Sequence, residues 1–408
     1  MAASFGEQTS IRCVIARGGT SKGLYLRPED LPPSGPARDA LLSRLMGAPD
    51  TLEIDGLGGS RPITSKIGIV SKSERDDADV DYTFAQVDIH SNTIIYSANC
   101  GNISSGVGPF SIDEGLVPVT EGNTQVRIYN TNTKSVIVAQ VPVKNGKAAV
   151  DGDYAVPGVP GTGAEISMNW AGTVGAKTGH LLPTGHAVDT VKLESGKEIE
   201  ISIVDAANPL VFVHAEDFGI TGSELVDDIN NNAKLIDSVR EVRGKAAAMI
   251  GMCKDWKQVD TESPGLPILA LVAAPADYKT INGSTVKASD MDARVRVIFM
   301  NQLHESVPGT GSICLTAASR AKGTVVEKLS AKRDPAKFLI GHPSGVTPGR
   351  VKSSETKEAP FVHFDELGFS RTSRRLMCCT AFVPTSLMQK LESLGTKTEN
   401  GNKGVVHE

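Results

Sequence analysis

Two short stretches of small residues, one in each half of the 408-residue chain, constrain its fold more than any other feature. Ser97–Gly106 reads SANCGNISSG, Val307–Cys314 reads VPGTGSIC, and each follows a predicted strand. Both patterns predict a strand–turn–helix joint with the helix N-terminus exposed. Such an end presents N–H groups that lack intrahelical partners, together with partial positive charge, and so it suits a carboxylate. Two such joints at corresponding places indicate two helix ends that face one anionic ligand.

Strand patterns surround these joints, and the length of the chain is about right for two domains. No low-complexity linker separates the halves, so we expect them to pack closely. Apolar residues at helical spacing predict helices over 37–46 and 224–250. Period-two and β-rich patterns predict strands over 11–16, 24–26, 80–89, 126–129, 136–143, 192–204, 210–214, 266–274, 294–300 and 380–383.

Composition narrows the class of protein. The net charge is −5 and no long basic run occurs, so we expect no nucleic-acid partner. The longest apolar stretch, Leu266 to Ala276, is about half of the ~20 residues that a membrane span needs, and a proline interrupts it. The N-terminal ten residues are polar and lack the apolar core of a signal peptide. We therefore expect a cytoplasmic protein with no membrane partner.

Motifs for the common cofactors are missing. No GxGxxG follows a strand, the glycine turn at 18–23 lacks Walker A spacing, and neither GxSxG nor HExxH occurs. The six cysteines are scattered without CxxC spacing and the eight histidines are dispersed, so we expect no metal site. The residues alone therefore support neither a nucleotide site nor a metal site.

Five residues remain as candidates for chemistry. Cys100 lies between Asn99 and Gly101, where a helix N-terminus would favour its thiolate; the alternative is a small buried thiol. Lys66 is a lone cation in a small, apolar strand. It either points to water or, if it is desolvated, gives up its proton easily enough to carry one. Arg17, Lys22 and Arg61 lie in or beside glycine turns and are either solvated or available to clamp carboxylates.

The two joints resemble those of the diaminopimelate epimerase superfamily. Those enzymes have Cys-Gly-Asn-Gly in one half and Cys-Gly-Thr/Ser-Gly in the other, and the two cysteines form an acid/base pair. Here Cys100-Gly101-Asn102 matches the first motif, but Pro308 takes the cysteine position of the second. Cys314, six residues further on, does not match it. This departure argues against a two-thiol racemase or epimerase.

Six ordered motifs resemble the PrpF family of that superfamily, and the likeness covers nearly the whole chain. The family includes isomerases of 2-methylaconitate, aconitate, 3-methylitaconate and oxalomesaconate. The motifs are Ala16–Gly23, Ser65-Lys66, Asn99–Asn102, Leu182–Gly185, Asp205–Pro209 and Arg371–Met377.

The resemblance implies an α+β fold of the diaminopimelate epimerase type, with two similar domains, each a β-barrel around a central helix. We expect an N-terminal domain over 1–180, joined by the C-terminal segment 376–408, and a C-terminal domain over 181–375. It also implies that Lys66 moves a proton with Cys100 as a candidate partner, in one cleft. The residues that would bind substrate carboxylates are Arg17, Thr20, Ser21, Lys22, Asn102, Ser104, Gly309, Thr310, Gly311 and Ser312.

The function that follows is a cofactor-independent isomerase of a small unsaturated di- or tricarboxylate, similar to aconitate or methylaconitate. It would shift a double bond or change cis/trans geometry by proton transfer, and the sequence does not choose between these outcomes. The alternative is a non-catalytic accessory protein for an aconitase-type enzyme, which would need an exposed apolar docking patch. The expected partner is the small polycarboxylate substrate, and the apolar helix faces permit a homodimer.

Overall fold

A computed structural model describes residues 4–96 and 99–391 of the chain. Ser97 and Ala98 of the first joint, and residues 392–408 of the predicted returning segment, lie outside the described residues. The fold is mixed α/β and is dominated by a large sheet with parallel and antiparallel strand pairs. Within the described part, no helix combines the length and the apolar character that crossing a membrane requires.

The element bounds follow the chain order. The described helices are α1 Pro36–Met46, α2 Gly101–Asp113, α3 Val226–Asn230, α4 Ala233–Met249, α5 Val259–Glu262, α6 Gly309–Ala318, α7 Val325–Leu329 and a helical segment over 385–391. The first strands are β1 Ser4–Phe5, β2 Gln8–Gly18, β3 Ser21–Leu26, β4 Lys66–Lys72, β5 Val80–Val87, β6 Ile94–Ile95, β7 Gly122–Asn130, β8 Ser135–Lys144, β9 Lys147–Ala148, β10 Tyr154–Ala155, β11 Thr162–Gly163 and β12 Ile166–Asn169. The remaining strands are β13 Asp189–Lys192, β14 Glu198–Ala206, β15 Asn208–His214, β16 Ile268–Ala273, β17 Tyr278–Lys279, β18 Thr285–Val286, β19 Ala293–Phe299, β20 Gln302–Leu303, β21 Lys337–His342, β22 Gly345–Glu355, β23 Val362–Arg371 and β24 Ser373–Pro384.

The chain divides into two compact units. Unit 1 consists of the described parts of Met1–Asn132, Ala139–Ile166 and Arg371–Glu408, and unit 2 of Thr133–Val138 and Ser167–Ser370. The domain boundaries expected from the sequence stay a prediction.

Unit 1 is built around the helix α2. Ten of its thirteen residues are buried, and it packs against β2, β3, β4, β5, β7 and β24. Strand β2 pairs antiparallel with β3 on one side and with β24 on the other, so the end of the chain completes the sheet that its beginning starts. A second layer packs on this sheet, where Leu41, Leu42 and Leu45 of α1 join Ile11, Leu24 and Val383 in the core.

Unit 2 has an equivalent buried helix, α6. All ten of its residues are buried, and it packs against β14, β15, β21 and β22. The hairpin β14–β15 turns at Ala207, and β15 then pairs in parallel with β16. The amphipathic helix α4 covers this sheet with Leu235, Val239 and Val242.

Two sequence predictions need correction. The single strand expected over 192–204 is a hairpin, β13 and β14, because Ser195-Gly196 forms a turn in which Gly196 has a φ of 87°. The single helix expected over 224–250 is two helices, α3 and α4. Asn232 interrupts it, because its side chain accepts a hydrogen bond from the Leu235 N–H and so caps the start of α4.

Candidate functional site

The glycine turn between β2 and β3 is braced by Arg17. Its Nη1 donates to the carbonyl oxygens of Gly19 and Thr372, both at 2.9 Å, and the Gly19 N–H also donates to the Thr372 carbonyl. Burial, and secondarily the charge of Arg374, lowers the pKa of Arg17. One nitrogen of the predicted carboxylate clamp is thus engaged in holding the turn in place.

The turn touches the start of helix α2 directly. Gly19 has a φ of 50°, and a Cβ placed there would lie only 2.2 Å from Oδ1 of Asn102. Position 19 therefore combines a left-handed backbone conformation with a close contact to Asn102, and residues other than glycine do not tolerate this combination. Asn102 in turn donates from Nδ2 to Oγ1 of Thr20 at 2.9 Å. Two predicted binding residues, Thr20 and Asn102, are therefore in contact.

Helix α2 begins as the sequence predicts. Cys100 is its N-cap residue, half-buried and in an extended conformation, and it makes no side-chain capping bond. Its carbonyl accepts the first helical bond from the Ser104 N–H at 2.9 Å, and a second bond from Oγ of Ser104 at 2.9 Å. The first turn contains no acidic residue, so nothing in it neutralises the positive end of the helix dipole.

Arg371 lies beside this helix end. Its Nε donates to Oδ1 of Asn102 at 3.1 Å. Burial lowers its pKa to about 10, and Tyr154 and Cys100 act against this shift. A guanidinium keeps its charge at neutral pH even so, and the N-terminal end of α2 is therefore supplemented by a buried cation.

Lys66 is the first residue of β4, where the chain leaves the loop that follows Gly47. Its Nζ donates to Oε1 of Gln86 at 2.6 Å and lies 5.3 Å from the centroid of the Phe84 ring. Both partners belong to β5, in which Gln86 is the residue directly paired with Lys66. The ammonium thus meets an aromatic ring and a neutral amide.

Gly23 connects Lys66 with helix α2. It pairs with Lys66 across the parallel strands β3 and β4. A Cβ on Gly23 would lie 2.4 Å from the Lys66 carbonyl oxygen and 3.2 Å from Cδ1 of Ile103, in the first turn of α2. The Lys66 backbone and the N-terminal turn of α2 therefore both pack against Gly23.

The remaining turn residues have different surroundings. Ser21 is buried, whereas Thr20 is exposed. Lys22 directs its Nζ towards the loop before β4, where a Cβ on Gly59 would lie 3.3 Å away. Its backbone N–H donates to the Ile63 carbonyl at 3.0 Å, so β3 and this loop are joined.

In unit 2 the second predicted joint also opens into a helix. Pro308 is the N-cap of α6, and Gly309, Thr310, Gly311 and Ser312 form its buried first turn, again without an acidic residue. The hydroxyls are used internally: Ser312 Oγ donates to the Gly309 carbonyl at 2.7 Å, and Thr310 Oγ1 accepts from Asn208 Nδ2 at 3.0 Å.

Cys314 has a structural environment. It is fully buried in α6, its Sγ donates to the Val204 carbonyl at 3.1 Å, and burial raises the pKa of its thiol. Across residues 4–96 and 99–391, no three His, Cys, Asp or Glu side chains form a group that could hold a metal ion.

Three residues of these surroundings were not among the predicted site residues. Arg371 and Asn208 lie within motifs that carried the family resemblance, so the sequence contained a signal for them. Gln86 had no such signal, because its role depends on the register between β4 and β5, which the sequence does not reveal.

Comparison with known proteins identifies the relatives of the chain. It is 44% identical over 375 residues to 3-methylitaconate isomerase of Eubacterium barkeri, covering 91% of this chain and 96% of that protein. It is 35% identical over 386 residues to 2-methyl-aconitate isomerase of Shewanella oneidensis, with coverage of 91% and 96%. Both relatives are isomerases, which confirms the prediction of an isomerase.

Solved structures show that other proteins share this fold. The crystal structure of a methylitaconate-delta-isomerase aligns with a TM-score of 0.84 at 42% identity, covering 94% of this chain and 98% of that one. A hydroxyproline epimerase from Agrobacterium vitis aligns with a TM-score of 0.52 at 13% identity, covering 92% and 93%, which shows a shared fold alone.

A family model described as PrpF protein matches residues 8–384, from the first residue of β2 to the last residue of β24. The motifs, the relatives and this match agree, and the chain belongs to the PrpF family.

Proposed function

We propose that the protein is a cofactor-independent isomerase that shifts the double bond, or changes the cis/trans geometry, of a small unsaturated di- or tricarboxylate similar to methylitaconate or methylaconitate. The observation that carries the proposal is in unit 1. There the backbone of the half-buried Lys66 and the first turn of α2, which has no acidic residue, pack on Gly23, and the Lys66 ammonium has a neutral partner. The named isomerase relatives support the substrate class.

The chemistry needs a base and a stabilised anion. A C–H bond γ to a carboxylate, across a C=C bond, is weakly acidic, and its removal leaves a dienolate whose charge spreads onto the carboxylate. Helix N–H groups and a buried guanidinium stabilise that charge as it develops. Lys66 takes the proton from one carbon and returns it to another, so that no atom is gained or lost and the double bond moves. Cys100, the N-cap of α2, serves as a binder or secondary donor.

The remaining candidates bind carboxylates in this proposal. In unit 1, Arg17, Thr20, Ser21, Lys22, Asn102 and Ser104 surround the β2–β3 turn and the start of α2. In unit 2, Gly309, Thr310 and Gly311 offer the N–H groups of the first turn of α6, whereas the Ser312 N–H donates to the Pro308 carbonyl at 2.8 Å. We propose that this helix end, with Ser312, binds a carboxylate. A helix end of this kind requires no side chain to bind an anion.

The same proposal extends to the architecture. We infer that each unit is a β-barrel closed around its buried helix, α2 in unit 1 and α6 in unit 2. The support is the burial of both helices and the strands that pack on several of their sides. Their small residues, such as Gly106 against the Tyr25 ring, let strands approach a helix closely.

The function is tested with purified protein alone in deuterated water. NMR would follow a panel of unsaturated di- and tricarboxylates for isomerisation and for deuterium incorporation. The proposal expects both signals with at least one member of the panel and without added metal or cofactor. Activity only after addition of an aconitase-type enzyme would support the accessory-protein alternative, and a need for added metal would overturn the cofactor-independent mechanism.

The role of Lys66 is tested by substitution. Lys66→Ala should lower the isomerisation rate at least ~100-fold, the usual contribution of a general acid/base, while Cys100→Ser should keep measurable turnover. Lys72→Ala is a matched control, because Lys72 ends the same strand and is exposed. If Lys66→Ala turns over near the wild-type rate and Cys100→Ser is inactive, the two roles must be exchanged.

A further inference from the structure

Both the oxygen and the nitrogen of the Gln86 side-chain amide make hydrogen bonds within unit 1. Gln86 lies directly opposite Lys66 in the antiparallel pair β4–β5, and its Oε1 is 2.6 Å from the lysine Nζ. The Phe84 ring, two residues earlier on the same face of β5, lies under the same ammonium. The end of the lysine side chain is therefore located by two residues of one strand.

The orientation of the Gln86 amide is determined by its other contacts. Its Nε2 lies near three backbone carbonyl oxygens, those of Pro62 at 3.1 Å, Ser65 at 3.0 Å and Val87 at 3.1 Å. Carbonyl oxygens only accept hydrogen bonds, so the NH2 group must face them. The amide oxygen is then left to face Lys66, and a flipped amide would place oxygen against oxygen.

These contacts also connect Gln86 to the loop that delivers Lys66. Ser65 immediately precedes the lysine, and its Oγ donates to the buried carboxylate of Glu53 at 2.6 Å. The Ser60 N–H donates to the same carboxylate oxygen at 2.7 Å. Gln86 therefore connects the loop that is anchored on Glu53 with the Lys66 ammonium. It contacts both the backbone directly before Lys66 and the end of the lysine side chain.

We propose that Gln86 is the positioning residue of Lys66, a role that rests on the function proposed above. A neutral acceptor holds Nζ in place without adding a charge beside it. A carboxylate at this position would form an ion pair and favour the ammonium, which cannot act as a base. The amide thus orients the proton carrier without fixing its charge.

The test compares Gln86→Met, Gln86→Glu and wild-type enzyme by kcat, KM and the pH dependence of kcat/KM. Gln86→Met removes both the acceptor and the donor at nearly constant volume. We expect kcat to fall about tenfold to a hundredfold, as misplacement of a reacting group does, with little change in KM. Gln140→Met is the matched control, because the amide of Gln140 bonds to the side chains of Asn123 and Gln125. It should keep the wild-type kcat.

Gln86→Glu gives the second, independent readout. The new carboxylate should move the rising limb of kcat/KM to higher pH, whereas Gln86→Met should not move it upward. Lys22, beside the residue that pairs with Lys66, and Glu53, bonded to Ser65, are unchanged in both variants. A merely structural role for Gln86 would lower the thermal midpoint without moving the limb.

The outcomes separate the two proposals. If wild-type enzyme isomerises no substrate, or if Lys66→Ala is as active as wild type, the proposed function or its proton carrier is wrong. If Lys66→Ala is impaired while Gln86→Met keeps the wild-type kcat, or Gln86→Glu leaves the limb where it is, the positioning role of Gln86 alone is wrong.

Discussion

The carboxylate of Asp205 in unit 2 is fully buried and unevenly bonded. Its Oδ2 accepts hydrogen bonds from the Lys177 N–H at 2.9 Å, the Thr178 N–H at 2.8 Å and Thr178 Oγ1 at 2.8 Å. Its Oδ1 has no partner in the described structure. Burial raises the pKa of this carboxyl, although the three hydrogen bonds and the charge of Lys177 oppose the rise.

Two substitutions at Asp205 should therefore distinguish the contribution of its hydrogen bonds to stability from the contribution of its charge. Asp205→Ala leaves three donors without an acceptor and should lower the free energy of unfolding by roughly 3 kcal/mol. Asp205→Asn can keep the accepting oxygen and should cost less. Urea unfolding of both variants at one pH measures the difference, and equal losses would contradict the argument.

The direction of the pH effect follows from the raised pKa. A carboxyl that binds its proton more tightly in the folded state stabilises the fold at low pH, and this contribution is lost as the pH rises through the folded-state pKa. Wild type should therefore lose stability relative to Asp205→Asn as the pH rises above the ordinary range of an aspartate. Unfolding free energies measured across that range check the sign.

At the same scale, the sequence singled out Lys66 and Cys100 as candidates because their residue types are unusual in small, apolar surroundings, and their roles stay a prediction. Gln86 was out of reach for a physical reason: an amide in an alternating strand is ordinary, and only the pairing with β4 gives it a partner. Arg371 lies in a motif that could be recognised in the sequence, but its burial and its hydrogen bond to Asn102 could be seen only in the structure.

The contact between the glycine turn and helix α2 is the feature that matters most at the scale of elements. Strands β2 and β3 bring the turn against Asn102, and the absence of a Cβ at Gly19 permits that approach. The helix end is thereby held by a strand hairpin rather than by a capping side chain.

Gly19→Ala should disturb this contact. The added Cβ is strained at a φ of 50° and clashes with Asn102, so we expect kcat/KM to fall at least about tenfold. Gly122→Ala provides the matched control, because Gly122 also has a positive φ, 86°, but nothing lies within 4 Å of its Cβ position. Equal effects of the two substitutions on kcat/KM would show that backbone strain, and not displacement of α2, is responsible.

Sequence patterns predicted the positions of most helices and strands of this fold, but not the points at which two of them are interrupted. The helix α1 and the central strands lie where apolar spacing predicts them, since burial of one face imposes that spacing. The interruptions at Asn232 and Gly196 were missed, because a single capping or turn residue within a long apolar pattern carries a weaker signal than the pattern itself.

At the scale of the whole molecule, unit 1 is assembled from both ends of the chain. Eleven residue pairs join β2 with β24, and Ala381 and Val383 of β24 enter the unit 1 core. Unit 2 contains Ser167–Ser370, the long segment between these ends, and has its own core.

A charge on the core face of β24 should therefore unfold unit 1 selectively. Val383→Asp places a carboxylate at a position that is 2% exposed, whereas Thr380→Asp places it on the exposed face of the same strand. After limited proteolysis, mass spectrometry should find a protected core within 167–370 in Val383→Asp and an intact chain in Thr380→Asp. Digestion of both regions of Val383→Asp at one rate would contradict independent units.

The pairing of β2 with β24 also determines the order in which a newly made chain can fold. At 5–20 residues per second, the ribosome needs roughly 20 to 70 s to add the 354 residues that separate the end of β2 from the start of β24. During that time one edge of β2 lacks its final neighbour and offers unpaired backbone groups to other chains. The segment of unit 2 emerges completely within this interval and can fold first. Synthesis from the N-terminus thus completes unit 1, the unit that it began, only after β24 has left the ribosome.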